Sequence, residues 1–152
     1  WNAVTCLYFE AEEAPVTEPV LILDGDGTGP VNNLCFPTQV SSDYGPRDRA
    51  LVSASVLGSD EDVSGDLTDR VLAQMERWFG TEARSWRHLR TYRIRHALPR
   101  QLPGWLVPPH RPVRVREGSY VAGDHVDTAS TNGALGAGRR AAEAVLLDRE
   151  RR

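Results

Sequence analysis

Alternation of apolar and polar positions dominates the first sixty residues. "TCLYFEAE" (5–12) alternates and is rich in strand formers, "PVLILDGD" (19–26) reads as a second strand and "VNNLCFPTQV" (31–40) as a third. "GDGTGP" (25–30) is the turn between the last two, so 19–40 predicts a hairpin. "SSDYGPRD" (41–48) is a loop punctuated by Gly45-Pro46, and "ALVSASVLG" (50–58) is a fourth strand, apolar at alternate positions and small between them. The period then changes. In "GDLTDRVLAQMERWFG", Leu67, Val71, Met75, Trp78 and Phe79 form one stripe of an amphipathic helix, with Asp66 and Asp69 at its N-terminal end and Gly80 as its stop. "WRHLRTYRIRHALP" (86–99) is a fifth strand ending at Pro99, and "QLPGWLVPPHRPVRV" (101–115), with four prolines, is loop or extended chain. "GSYVAGD" (118–124) is a short buried strand and "STNGALGAGRRAAEAVLLDRE" (130–150) a closing helix. The pattern predicts an α+β fold: a mostly antiparallel sheet with one amphipathic helix, then a strand–helix segment, with no βαβ series and no internal repeat.

Composition narrows the function classes. The 152 residues are 40% apolar, enough for a real core and unlike a disordered chain. No apolar run approaches the roughly 18 residues of a membrane span, and no secretory signal opens the sequence. Net charge is −3 and the arginines are dispersed, so the basic footprint of a nucleic-acid binder is absent. There is no lysine, which excludes a Schiff-base or catalytic lysine from this chain. Cys6 and Cys35 stand outside any C-x-x-C arrangement and read as reduced, buried cysteines of a cytoplasmic protein. No cluster has the spacing of metal ligands, so no metal site is expected. The chain opens Trp1-Asn2-Ala3 inside a strand-like run, which reads as the C-terminal piece of a longer protein.

The chemistry-bearing stretch is "VAGDHVDTASTNGALGAGRRAAEAVL" (121–146). "GDGTGP" invites comparison with the dinucleotide fingerprint G-x-G-x-x-G, but its sixth position is Pro30 and a strand-like run follows it, where the fingerprint needs a helix. The closing segment has the opposite order. Gly123 allows a sharp turn at a strand end, and Asp124 can accept hydrogen bonds from ligand hydroxyls. Ser130, Thr131 or Asn132 can cap the helix. Free amides of Asn132, Gly133 and Ala134 then point out of its first turn and favour partial negative charge. Gly133, Gly136 and Gly138 each cost about 1 kcal/mol against alanine in a helix, which suggests close approach of something. On this reading Gly133 and Ala134 face a ligand, while Ala137, Ala141 and Val145 lie on a close-packed face. Spacing alone serves equally well a terminal helix that merely packs tightly on its neighbours.

Those residues resemble a known pattern. The run from Tyr120 to Leu146 is similar to the C-terminal flavin-binding segment of the flavin-containing amine oxidoreductase superfamily, which holds amine oxidases, protoporphyrinogen oxidases and phytoene desaturase-like enzymes. The family's strand, Gly-Asp, loop and Gly-Ala-x-x-Ser-Gly-x-x-Ala-Ala stand here as Gly123-Asp124, Gly133-Ala134, Ala137-Gly138 and Ala141-Ala142, with Ala137 in place of the usual serine. "YRIRHALP" (92–99) resembles the family's strand that ends in an Ala-x-Pro turn beside the flavin, and "SSDYGPRDRALVSASVLG" (41–58) a strand pair of the substrate domain in its desaturase-like branch. The resemblance implies FAD, with Gly123, Asp124, Asn132, Gly133 and Ala134 as cofactor-binding residues and His96, Ala97 and Pro99 near flavin or substrate. It implies that residues 1–100 belong to a substrate-binding domain and 101–152 to a C-terminal FAD-binding segment, with the N-terminal dinucleotide-binding unit missing from these residues. The function expected is part of an FAD-dependent oxidoreductase that oxidises a C–N or C–C bond of a small-molecule substrate by hydride transfer. Its catalytic residues are unknown from the sequence, and the fragment alone is expected to be inactive. The competing expectation is a non-catalytic binding or interaction domain that retains the fold and has lost FAD.

Overall fold

The computed structural model describes residues 1–58, 66–108 and 110–150. They form an α+β structure in two compact units: Asn2–Ala97, and a second that runs from Leu98 to the chain end and takes in Trp1.

The first unit is built on a five-stranded sheet. Its strands are β1 (Asn2–Ala11), β2 (Leu21–Leu23), β3 (Val31–Cys35), β4 (Ala50–Leu57) and β5 (Arg87–Leu98), in the order β2-β3-β4-β1-β5. β2 pairs antiparallel with β3, β3 with β4, and β4 with β1, where Tyr8 stands opposite Ser53 and Leu7 opposite Ala54. Alternation decides the faces. Leu7 and Phe9 of β1 and Val52, Ala54 and Val56 of β4 are buried, and on them lies the helix (Leu67–Phe79, α2 below) through Leu67, Val71 and Met75. Phe36, Phe79 and Trp86 close the end of this core at centroid distances of 5.8–6.1 Å, Phe36 standing edge to face with both rings and Phe79 tilted by 34° against Trp86. The helix is bounded as its sequence suggests: the Asp66 carboxylate accepts the Thr68 amide at 2.8 Å, and Gly80, at φ +88°, stops it while donating to the Glu76 carbonyl.

Two strands of this unit are shorter than their pattern predicts: the second is cut from 19–26 to Leu21–Leu23, and the third is shortened as well. The third ends at Cys35, because Pro37 cannot donate to a ladder; it opens instead a single helical turn, α1 (Pro37–Val40), whose first carbonyl accepts the Ser41 amide. The turn "GDGTGP" is the hairpin loop between β2 and β3. Asp24 ties it by accepting the amides of Asp26 and Gly27, both at 3.1 Å.

The second unit is small. β6 (Arg114–Arg116) and β7 (Ser119–Tyr120) form a hairpin that turns at Gly118, φ +69°. The expected strand over 118–124 is thus cut to two residues and gains a partner at the end of a stretch read as loop or extended chain. A short 3-10 turn (Asp124–Val126) leads to the closing helix α3 (Thr131–Glu150). Val113, Val126 and Ala137 make its core, flanked by Val121, Ala141 and Ala144. Asp148 fastens the far end of α3 to the hairpin by pairing with Arg114 at 2.9 Å and accepting the Tyr120 hydroxyl. No helix among the described residues is long and apolar enough to cross a membrane.

Candidate functional site

The sequence singles out the turn at residues 123–124 and the entrance of α3, and both lie in the second unit. Gly123 has φ +147° and ψ 173°, a conformation that L-residues rarely adopt, and a Cβ there would meet the His125 ring at 2.7 Å. Glycine is therefore required both for the backbone and for the room. Asp124 opens the 3-10 turn with its carboxylate partly exposed, 4.0 Å from the imidazole Nδ1 of His125. Its oxygens keep acceptor capacity for a ligand hydroxyl.

The helix entrance departs from expectation in two respects. Ser130 is the cap: its Oγ accepts the Gly133 amide at 3.0 Å and its carbonyl the Ala134 amide at 2.9 Å. The amides that remain without an intrachain acceptor among the described residues are those of Thr131 and Asn132, so of the three amides expected to be free only that of Asn132 is. Second, Gly133 is buried and faces its own chain. A Cβ on it would stand 2.0 Å from the Thr128 carbonyl oxygen and 2.6 Å from the Thr128 hydroxyl. The expectation that Gly133 faces a ligand is corrected: its missing side chain makes room for the loop before the helix. Ala134 is half-buried and Asn132 exposed. Ala137 is wholly buried and Ala141 and Val145 are half-buried, as the close-packed face requires.

That loop, residues 127–130, is held from three sides. Asp127 accepts the Thr128 amide at 2.7 Å and pairs with Arg140 of α3 at 2.5 Å. Arg140 also donates to the Val126 carbonyl at 3.4 Å. From the segment after β5, the Gln101 carboxamide donates to the Asp127 carbonyl at 2.6 Å and accepts the Ala129 amide at 3.1 Å. Sequence reading missed Gln101, Asp127 and Arg140. One signal was present: Arg140 falls on the stripe of Gly133, Ala137, Ala141 and Ala144, and a charge on a buried stripe needs a partner.

The Thr128 amide, then Arg140, hold the Asp127 carboxyl below its ordinary value, with His110 adding to the effect. A carboxylate whose folded pKa lies below its unfolded value of about 3.9 stabilises the fold above that value. The stabilisation is lost as pH falls through the folded value. Acid titration of the unfolding midpoint should therefore show a steeper fall below about pH 4 for the parent chain than for Asp127→Asn. Parallel acid limbs would contradict this pairing.

The other expected residues are divided between the two units. His96 is exposed and Ala97 half-buried at the end of β5 in the first unit, whereas Pro99 is buried in the second. Cys6 and Cys35 are free thiols, half-buried. Burial, then the neighbouring Cys6, pushes the Cys35 thiol up, which makes it a poorer nucleophile. Tyr92 lines an open depression of about 450 Å³ on the first unit with Tyr8, Leu51, Leu89 and Arg90. Trp105, in the proline-rich stretch of the second, carries the Arg111 guanidinium 4.0 Å above its ring. No group of three or more metal-ligating side chains occurs among the described residues.

Comparison with known proteins supplies the context. The family model described as flavin containing amine oxidoreductase matches residues 1–146. Among solved structures, an oxidoreductase from Methanosarcina mazei is similar over 95% of this chain at a TM-score of 0.59 and 16% identity, a likeness of fold. The match spans 34% of that protein, so this chain corresponds to about a third of its length. Nothing among the curated proteins matches.

Proposed function

Because the chain belongs to the family of flavin containing amine oxidoreductases, we propose that it is part of a longer FAD-dependent oxidoreductase of the cytoplasm, on the desaturase-like branch of the family. In this reading residues 1–100 are part of the substrate-binding domain and residues 101–152 the FAD-binding segment. The dinucleotide-gripping unit comes from another part of the protein. The substrate is a small molecule oxidised at a C–N or C–C bond.

The observation that carries the reading is the pairing, within one unit, of the Gly123-Asp124 turn with an entrance of α3 that still has amides to offer. These groups fit a flavin chemically. The Asp124 carboxylate has acceptor capacity for the hydroxyls of the ribityl chain. The amides of Thr131 and Asn132 and the dipole of a 20-residue helix favour negative charge, which a flavin acquires on reduction. When bound, the flavin supplies a two-electron acceptor for hydride. The chain's own contribution would be to bind and orient it, through Gly123 and Asp124 and through the α3 entrance, where Asn132 offers its amide and Gly133 and Ala134 shape the first turn. Gly133 acts there by letting the entrance close on Thr128. We carry over from the family resemblance, as part of the same proposal, His96, Ala97 and Pro99 as residues near flavin or substrate.

Asp124→Asn tests the assignment, since it removes the charge and keeps the shape. Loss of a charged acceptor should weaken flavin binding by about 1.5–3 kcal/mol in the flavoprotein that carries this chain, with the apoprotein midpoint little changed. Flavin titration followed by fluorescence quenching reads the effect. Unchanged affinity would remove Asp124 from the site and favour a domain that has kept the fold without the cofactor.

A further inference from the structure

We propose that Gln101 is a positioning residue for the cofactor: its carboxamide, bridging Asp127 and Ala129, sets the loop from which α3 starts and so fixes where the amides of Thr131 and Asn132 are presented. The inference rests on the flavin reading above. Gln101 reaches its partners from 26 and 28 residues away, donating to the Asp127 carbonyl at 2.6 Å and accepting from the Ala129 amide at 3.1 Å. It therefore satisfies two backbone groups two residues apart, as an adjacent strand would. The far side of the same loop is fixed by the Asp127–Arg140 pair. Thr128 closes on Gly133, and the Ser130 amide bonds back to the Thr128 carbonyl at 2.7 Å. A shift of residues 127–129 is thereby passed to Ser130, the cap of α3, and to the first-turn amides beyond it. Leucine at position 101 can neither donate nor accept. Ionised glutamate can accept from Ala129 but cannot donate to Asp127, and it sets a negative charge against a carbonyl. Protonated glutamate restores both roles.

The experiment uses the flavin-loaded protein that carries this chain, with free FAD as the probe. Gln101→Leu should weaken FAD binding at least tenfold and move the potential of the bound flavin to more negative values, because the reduced, negatively charged form loses aligned amides. Gln101→Glu should bind weakly at neutral pH and recover most of the parent affinity as its carboxyl protonates. A purely structural Gln101 would lower the unfolding midpoint and leave the potential where it was; that outcome overturns the proposal. Asp124→Asn is measured in parallel. If it weakens FAD binding and Gln101→Leu does not, the positioning role fails while the flavin site stands. If neither has an effect, both fall. Should Gln101→Leu not fold, the pH-dependent recovery of Gln101→Glu decides, and an affinity equal to the parent's throughout overturns the proposal.

Discussion

Replacing Gly133 by valine should destabilise the protein itself, before any cofactor is considered. The added Cβ would stand 2.0 Å from the Thr128 carbonyl oxygen and 2.9 Å from its carbonyl carbon, both backbone atoms that cannot rotate aside. Either the loop at 127–130 or the first turn of α3 must move, breaking the Ser130 cap on Gly133 and straining the Asp127–Arg140 pair. Overpacking against backbone, with a lost cap, should cost on the order of 3 kcal/mol. The unfolding midpoint of the ligand-free protein should then fall by roughly 10 °C. Gly138→Ala is the control: nothing lies within 4 Å of its added Cβ, and helix propensity should raise stability by up to about 1 kcal/mol. Calorimetry of the two apoproteins gives the comparison. An unchanged midpoint for Gly133→Val, with flavin binding lost, would return Gly133 to the ligand-facing role that its sequence pattern suggests.

Gly133 shows where sequence reading reaches its limit. That three glycines in six residues need a reason was legible, and so was a close approach at the first. What approaches was not, because Thr128 reaches Gly133 only after the 127–130 loop folds back, and that fold depends on Gln101 and Arg140. Local periodicity sufficed where burial follows position. Ala50, Val52, Ala54 and Val56 alternate along β4, and Leu67, Val71 and Met75 recur along α2, as the apolar pattern requires. It failed where a polar side chain is placed by distant partners. Gln74 is wholly buried in α2 although its residue type belongs on the solvent face. It also failed at 114–120, where three residues and two residues pair into a hairpin too short to show a period. Of the site, the glycine turn, the carboxylate and the capped helix were readable as residue types at fixed spacing. The bracing around them was not, since it joins residues 13 to 28 positions apart.

Gln74 gives the second large effect, and it lies in the first unit. Its Oε1 accepts the Val31 amide at 2.7 Å, and its Nε2 donates to the Val31 carbonyl at 3.2 Å and to Asp24 Oδ2 at 3.1 Å. The register of β3 on β4 shifts between Val31 and Asn33, and the side chain satisfies both backbone groups of Val31 beside that irregularity. Asp24 also ties the hairpin loop, which makes Gln74 the link between α2 and that loop. Gln74→Leu keeps the volume and orphans the Val31 amide and carbonyl; at about 1–3 kcal/mol for each unsatisfied buried group, the loss should be about 3–5 kcal/mol. Gly29 depends on the same contact. A Cβ on Gly29 would lie 2.2 Å from both Cδ and Oε1 of Gln74, so Gly29→Ala must push the side chain out of its bonds. The two changes therefore remove one interaction twice. Gly29→Ala should cost at least about 2 kcal/mol in the parent chain and little in a Gln74→Ala background, where no side chain remains to displace. Urea unfolding of the four proteins of the cycle measures the difference. Costs that add to within about 0.5 kcal/mol would mean that Gly29 and Gln74 act independently, and that the hairpin is held by its ladder without the helix.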